Sequence, residues 1–498
     1  MTNKRSLKLL SLMLALLMTT GSISCGNTTE ETKQNPGTAA EQTTADETEP
    51  ETIIEETEPE IVGPDKVDLG GYSFRMLSST WYDNYKYLYR EELIGEPVND
   101  ALYNANLALM NDYNCTLTPI VMNDADAVKN AIAASVRASL DEYDMQLNYD
   151  NKTAENAIAG YHLNIRDSEV FNFDAPWWTK TADAFTIGDA LYFTANYATY
   201  SPVYFGFVLC YNKTLAEDLH IEIPYDKIFA GDWYLDDLIA LTADTNKDLD
   251  GNGNIVVGND QVGFLLSHGG AVNFQVSMGL SMLTKDEEGY LAFNPNLERL
   301  STLLEKYEKL MENGVLVEGN SDTTVHFAKG NTLFALPQVL DIPAQMGSSE
   351  VVFGTLPMPK LDELQDEYIS GAFDIYWAIP KTAYQNLNTV ATVMEAMGYN
   401  CVKDVLPKAY ETALMVRFSD SPEDAKTYEI IRDSICVDIG YALNFKIGGL
   451  SPMVHALIQM EPGNMASKIQ QNAKILSKSL DSTNKVFREM NQASGAEE

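Results

Sequence analysis

Tyr72-Ser73-Phe74-Arg75-Met76-Leu77 follows Gly70-Gly71 and alternates apolar with polar side chains, which predicts a first β-strand. Val98 to Tyr113 comes next with Leu102, Leu107 and Met110 at helical spacing, and then Thr116 to Met122 reads as a second strand. Asp124 to Leu140 carries Val128, Ile132, Val136 and Leu140 four residues apart, an amphipathic helix, and Tyr143 to Leu147 is a third short strand. Strand, helix, strand, helix, strand in this order predicts a parallel sheet with helices on its faces. Ligands of such sheets bind at the carboxyl ends of the strands. This stretch sets the fold class as α/β.

Upstream the character changes. Lys4, Arg5 and Lys8 precede the apolar run Leu9 to Met18, which is too short for a bilayer-spanning helix of about 20 residues. Small residues follow, and then Cys25; residues 1–25 read as a secretory signal peptide. Residues 26–64 are rich in Thr, Glu and Pro, with few large apolar side chains, and are expected to be a disordered acidic tether. No later apolar run is long enough to span a bilayer, so the body is expected to be soluble and extracytoplasmic.

The 498 residues include 34 basic and 72 acidic side chains, a formal charge of −38. Such a surface argues against a nucleic-acid partner, which requires cationic groups to displace counterions from phosphate. At this length at least two lobes are expected, because single cores stop growing near about 250–300 residues. Only five histidines are present, with no HExxH or CxxC, so a zinc enzyme or thioredoxin-type protein is not indicated. Cys115, Cys210, Cys401 and Cys436 are widely spaced and admit three full pairings. Cys210 sits in an apolar run and reads as a buried free thiol.

Downstream, Tyr197 to Pro202 leads into the apolar run Val203 to Tyr211, and a helix starts at Asn212. A long helix is expected over Asn294 to Asn313, with Asn294 as cap and Pro295 at its first position. Thr332 to Leu336, Val351 to Leu356 and Ala372 to Ile379 read as strands, and helices dominate from Thr389. The last helix, about 465–491, places Ile469, Ala473, Leu476, Leu480 and Phe487 on one stripe that packs across the body.

Five phrases in this order resemble a known family. They are Val208-Leu209-Cys210-Tyr211-Asn212-Lys213 with Glu217-Asp218-Leu219; Ile223-Pro224 with Gly231 to Leu238; Phe327 to Phe334; Phe353 to Pro359; and Ala378 to Thr382. Together, over roughly residues 70–450, they are similar to the extracellular solute-binding proteins of the family-1 type, lipid-anchored receptors of bacterial ABC sugar importers. Ser22-Ile23-Ser24-Cys25-Gly26 likewise resembles a lipobox, with Ser22 where leucine is usual and Cys25 as the acylated residue. Tyr234 stands where the family usually has a Thr helix cap, and Gln338 where many sugar binders have Gly-Pro-Trp.

The resemblance implies a two-lobed periplasmic-binding-protein-like (type II) fold with an interlobe cleft. The first lobe would combine 66–200 with 351–402, and the second 203–345 with 403–498. Chain crossings are expected near 197–203, 340–350 and 400–405. It further implies a monomer, held to the membrane only by its lipid, that delivers a sugar or oligosaccharide to ABC permease subunits and performs no catalysis. A glycosidase, or a receptor for peptides, is the alternative.

A sugar site needs flat aromatic faces for C–H surfaces and Asp, Asn, Gln or Arg for hydroxyls. The candidates are Trp81 and Tyr82 after the first strand, Tyr149 and Asp150 after the third, Trp177, Trp178, Tyr200, Gln338, Asp374 and Trp377. Trp177 and Trp178 are adjacent, and Asp374 and Trp377 lie on opposite phases of a strand, so one of each pair would face the cleft. Trp233 is expected to pack internally. No catalytic cofactor is implied, but Asp248, Asp250, Asn252, Asn254, Asn259 and Asp260 follow a calcium-loop pattern, with Gly253 at its sharp turn. Asn259 stands where an EF-hand has its bidentate Glu, so the calcium would be structural.

Overall fold

The computed structural model describes residues 61–373, 375–414, 422–447 and 465–494. The signal peptide, Cys25, most of the tether and Asp374 lie outside them. Two sheets organise the described body. The smaller has strand order β12-β3-β1-β2, where β1 is Tyr72–Ser79, β2 Cys115–Met122, β3 Met145–Tyr149 and β12 Ile375–Ala378. β1 pairs in parallel with β2 and β3, as the opening stretch predicts, and β12 closes the edge antiparallel to β3.

Local chemistry sets these boundaries. The helix Pro97–Tyr113 begins with proline at a position that needs no N–H, and Glu96 accepts the Val98 and Asn99 amides at 3.1 and 2.6 Å. Asn114 closes it in the left-handed region at φ 47°, turning the chain directly into β2. The helix Ala125–Arg137 is capped by Asp124, which accepts the Ala127 amide at 2.7 Å. Phe74 and Met76 point to the main core, while Leu77, on the opposite phase of β1, packs with Val128 and Ile132.

The larger sheet runs β10-β4-β9-β5-β8: β4 is Leu209–Asn212, β5 Val262–Ser267, β8 Gly314–Val317, β9 Thr332–Ala335 and β10 Phe353–Leu356. Between β5 and β8 lies a hairpin of β6, Leu283–Lys285, and β7, Leu291–Phe293. A two-stranded ribbon joins β11, Ser370–Gly371, to β13, Ile435–Cys436. Most buried side chains form one continuous core.

Several expectations are corrected. β10 pairs with β4 through Phe353↔Asn212 to Leu356↔Leu209, so residues 353–356 belong to the larger sheet and the chain returns between 356 and 375, not near 340–350. Backbone pairing outweighs the phrase order that placed 351 in the first lobe. Ile61 packs against the core, and the Tyr113 hydroxyl donates to the Pro64 carbonyl at 3.2 Å, so the tether ends before Ile61. The run Val203 to Tyr211 is a short helix, Ser201–Tyr204, followed by β4. The long helix is Leu297–Met311, capped by Asn296 rather than Asn294, with the Arg299 amide 3.1 Å from its side chain. All four described cysteines are free, Cys210 buried among them. Trp233 is wholly buried, its indole N–H donating to the Pro357 carbonyl at 3.1 Å.

Candidate functional site

β1 and β3 run side by side and end together, which sets the residues that follow them along one edge. After β1, a turn over Trp81–Tyr87 holds Tyr82 and Asp83 at φ 46° and 56°, a left-handed conformation unusual for such residues. Tyr82 is left 60% exposed. Trp81 lies between two tyrosines, its ring centroid 4.3 Å from Tyr82 and 4.2 Å from Tyr149, the last residue of β3. These three rings form a continuous aromatic strip at the carboxyl edge of the sheet.

Beside the strip, Asp150 opens the helix Asp150–Ile158 and is 5% exposed. Burial lifts its carboxyl from the ordinary value to about 7, a rise only partly offset by the Asn151 amide and the Lys152 charge. Asp150 and Tyr149 add, after burial, to the upward push on the Tyr441 hydroxyl, from the helix Ile439–Ala442. Tyr441 stacks on Phe373 at 4.2 Å and 22°, and Phe373 meets Phe207 edge-on at 5.5 Å. Polar groups gather at the same edge: Ser78 Oγ, Ser79 Oγ, both polar atoms of the Asn84 side chain, Asn148 Oδ1 and Asn151 Oδ1 are buried without a partner among the described residues. Buried polar groups are rarely left so. Such an edge offers ring faces with unsatisfied donors and acceptors beside them.

The structure thus brings together Trp81, Tyr82, Tyr149 and Asp150, and adds Tyr441, Phe373 and Asn84, which sequence reasoning missed. Tyr441 follows the cap residue Asp438 in a short helix far along the chain, so no local pattern connects it to β3.

Of the other candidates, Asp374 lies outside the described residues, Trp178 is half-buried, and Trp177, Tyr200, Gln338 and Trp377 are buried. Trp377 is fully buried, its indole N–H bonded to Asn196 Oδ1 at 2.9 Å. Trp177 is 2% exposed against Tyr399, while Trp178 packs on Phe173 at 4.4 Å and donates to Glu395 Oε1 at 2.9 Å. Each member of the pair thus has interior partners of its own. Tyr200 is buried between Tyr87 and Tyr204, and its hydroxyl accepts from Arg90 at 2.9 Å. Gln338 uses its amide to donate to the Phe205 carbonyl at 3.2 Å, fastening the crossing segment.

Asp150→Asn tests the electrostatics. The unfolded chain releases this proton near the ordinary carboxylate value and the folded chain near 7, so between those values the native state holds more protons. The residue's contribution to stability therefore falls as pH rises from about 4 to about 7. The amide variant should be more stable than wild type at pH 8, by about 4 kcal/mol for a carboxyl raised to about 7, and equal to it at pH 4. Thermal melts across this range, checked for parallel curves, read the result.

In the acidic loop, oxygen atoms of Asp248, Asp250 and Asp260 lie within 4.8 Å of one another. Asp248 accepts the Gly251, Asn252 and Gly253 amides, and those bonds, Gly253's first, hold its carboxyl below the usual range. Asp260 is wholly buried and accepts the Leu249 and Val256 amides at 2.8 Å each. Asn252 and Asn254 are tied into successive turns. The Asn259 backbone oxygen accepts from the Asn331 side-chain amide, and Asp260 supplies the third carboxylate of the group. Two oxygens bound to one calcium at about 2.4 Å can be no more than about 4.8 Å apart. The three carboxylates meet that distance limit.

No protein-family model matches the sequence, and no curated protein matches it. Among solved structures, the chain is similar to a sugar transporter from Rhizobium etli in an open conformation, with a TM-score of 0.51 and 13% identity over 82% of this chain and 99% of that one. It is also similar to apo RafE from Streptococcus pneumoniae, with a TM-score of 0.49 and 15% identity over 84% of this chain and all of that one. The chain has a two-lobed, periplasmic-binding-protein-like α/β fold. Among the described residues no helix is long and apolar enough to cross a membrane.

Proposed function

We propose that this protein is an extracytoplasmic receptor, anchored through Cys25, that captures a sugar or oligosaccharide between its lobes and passes it unchanged to the permease subunits of an ABC importer. The observation that carries the reading is the strip Tyr82–Trp81–Tyr149 with buried Asp150 at its side. Ring faces stack on the C–H surface of a sugar, and Asp150, when ionised, accepts from its hydroxyls. A ligand that touches both lobes favours the closed arrangement by its differential affinity, and a permease can distinguish that form from the open one. The Rhizobium protein of similar fold is itself named a sugar transporter, which supports the ligand class. A thermal-shift screen against a broad glycan panel, with peptides as a control set, tests the reading. Stabilisation by glycans supports it, and stabilisation by peptides alone overturns the ligand class.

The acidic loop is proposed to bind calcium as a structural ion, held by Asp248, Asp250 and Asp260. Binding to the native state alone stabilises by RT ln(1 + [L]/Kd), so Tm should climb with calcium concentration. Asp248→Ala should remove most of that increment. A chelator that leaves the melting curve in place would show the loop to be a plain turn.

A further inference from the structure

The hairpin β6–β7 lies in sequence between β5 and β8 of the larger sheet, yet its strongest contacts are elsewhere. Its turn meets loop 187–190, where the Gly188 amide donates to the Gly289 carbonyl at 3.0 Å. A Cβ on Gly289 would stand 3.1 Å from Gly188 Cα, so the two backbones touch. That loop continues into Thr194, which bridges Trp377 of β12 and so belongs to the smaller sheet. The last helix, Met465–Ser494, grips hairpin and loop together. Asn484 accepts the Leu291 amide at 3.2 Å and donates to its carbonyl at 2.7 Å, pairing with β7 as a neighbouring strand would. Arg488 reaches Glu288 at 2.7 Å and lies 4.0 Å from the Tyr290 ring centroid. Asn491 donates to the Ile187 carbonyl at 3.1 Å and the Tyr290 hydroxyl at 3.3 Å, and accepts from Tyr192 at 2.6 Å. Phe487, wholly buried, stacks on Tyr192.

We propose that the hairpin 283–293 is a strap: it forms one rigid body with the smaller sheet and the last helix, and its two short links, 278–282 and 294–296, tie that body to the larger sheet. The first link leaves the helix His268–Ser277, whose Ser277 hydroxyl accepts the Gly371 amide of β11 at 3.0 Å. The strap therefore sits beside the β11–β13 ribbon, where the chain passes between the two sheets, and adds two connections to that side. Opening of the lobes is confined to the side away from it. The last helix, expected with the second lobe, then moves with the first.

Hydrogen–deuterium exchange on the full chain tests this. In Arg488→Ala/Asn491→Ala, and separately in Gly289→Ala, exchange should rise about tenfold in 283–293 and 187–193 together, while Leu297–Met311 and β5 keep wild-type protection. Unchanged exchange in the hairpin, or a rise shared with Leu297–Met311 and β5, would overturn the proposal. If these variants do not fold, wild type in graded denaturant serves instead. The hairpin amides should then open with 187–193 and 480–491, and opening with Leu297–Met311 contradicts the strap.

Discussion

Trp377→Ala should destabilise the protein by about 3–5 kcal/mol, the range for deleting a large buried aromatic. The side chain is wholly buried in β12, packed 6.0 Å from both Phe171 and Trp178 and bonded to Asn196. Removal leaves a cavity and takes one of two donors from the Asn196 oxygen, which still accepts the Ala198 amide at 3.0 Å. The effect belongs to stability alone. Glycan affinity of the remaining folded protein should equal that of wild type, because no face of this ring borders the aromatic strip. Denaturant melts and calorimetry below the transition separate the two quantities. A stable variant with lost affinity would return Trp377 to the cleft.

Trp81→Ala should do the reverse. The ring is only half-buried and touches Tyr82 and Tyr149, so its loss leaves no sealed cavity and stability should change little. Ligand affinity should fall near tenfold, matching about 1–2 kcal/mol for a stacking platform and the ordering it imposes on both tyrosines. Trp81→Phe keeps a ring face and should recover part of the loss. Equal affinity in all three proteins would remove the strip from the site.

The contrast between these two tryptophans marks what could be read in advance. Topology places Trp81: it follows a strand whose order in the opening β-α-β-α-β stretch points to the edge where ligands bind. Trp377, Trp177 and Tyr200 are candidates by residue type alone, and an aromatic side chain in a cleft is indistinguishable by type from a core residue. What decided them was interior polar partners, Asn196 for Trp377 and Arg90 for Tyr200, which lie too far along the chain to be paired from sequence. The parallel core of the smaller sheet was legible because each element carries its own period and cap. The placement of 353–356 was not, since an antiparallel edge strand pairs by register with a segment 140 or so residues away. The turns of the acidic loop follow from its Asp, Asn and Gly spacing, whereas the inward position of Asp260 is set by the Leu249 and Val256 amides, which no local pattern announces.

The central claim is capture without chemistry at the Trp81–Tyr149 edge. It is tested most directly by titration calorimetry of the wild type, Trp81→Ala and Asp150→Asn against the best glycan of the panel, with the recovered sugar run on chromatography. Saturable binding by wild type, weakened near tenfold in both variants, with the glycan recovered intact, is the predicted result. Cleaved glycan would make the protein a glycosidase, and binding untouched by either substitution would move the site elsewhere.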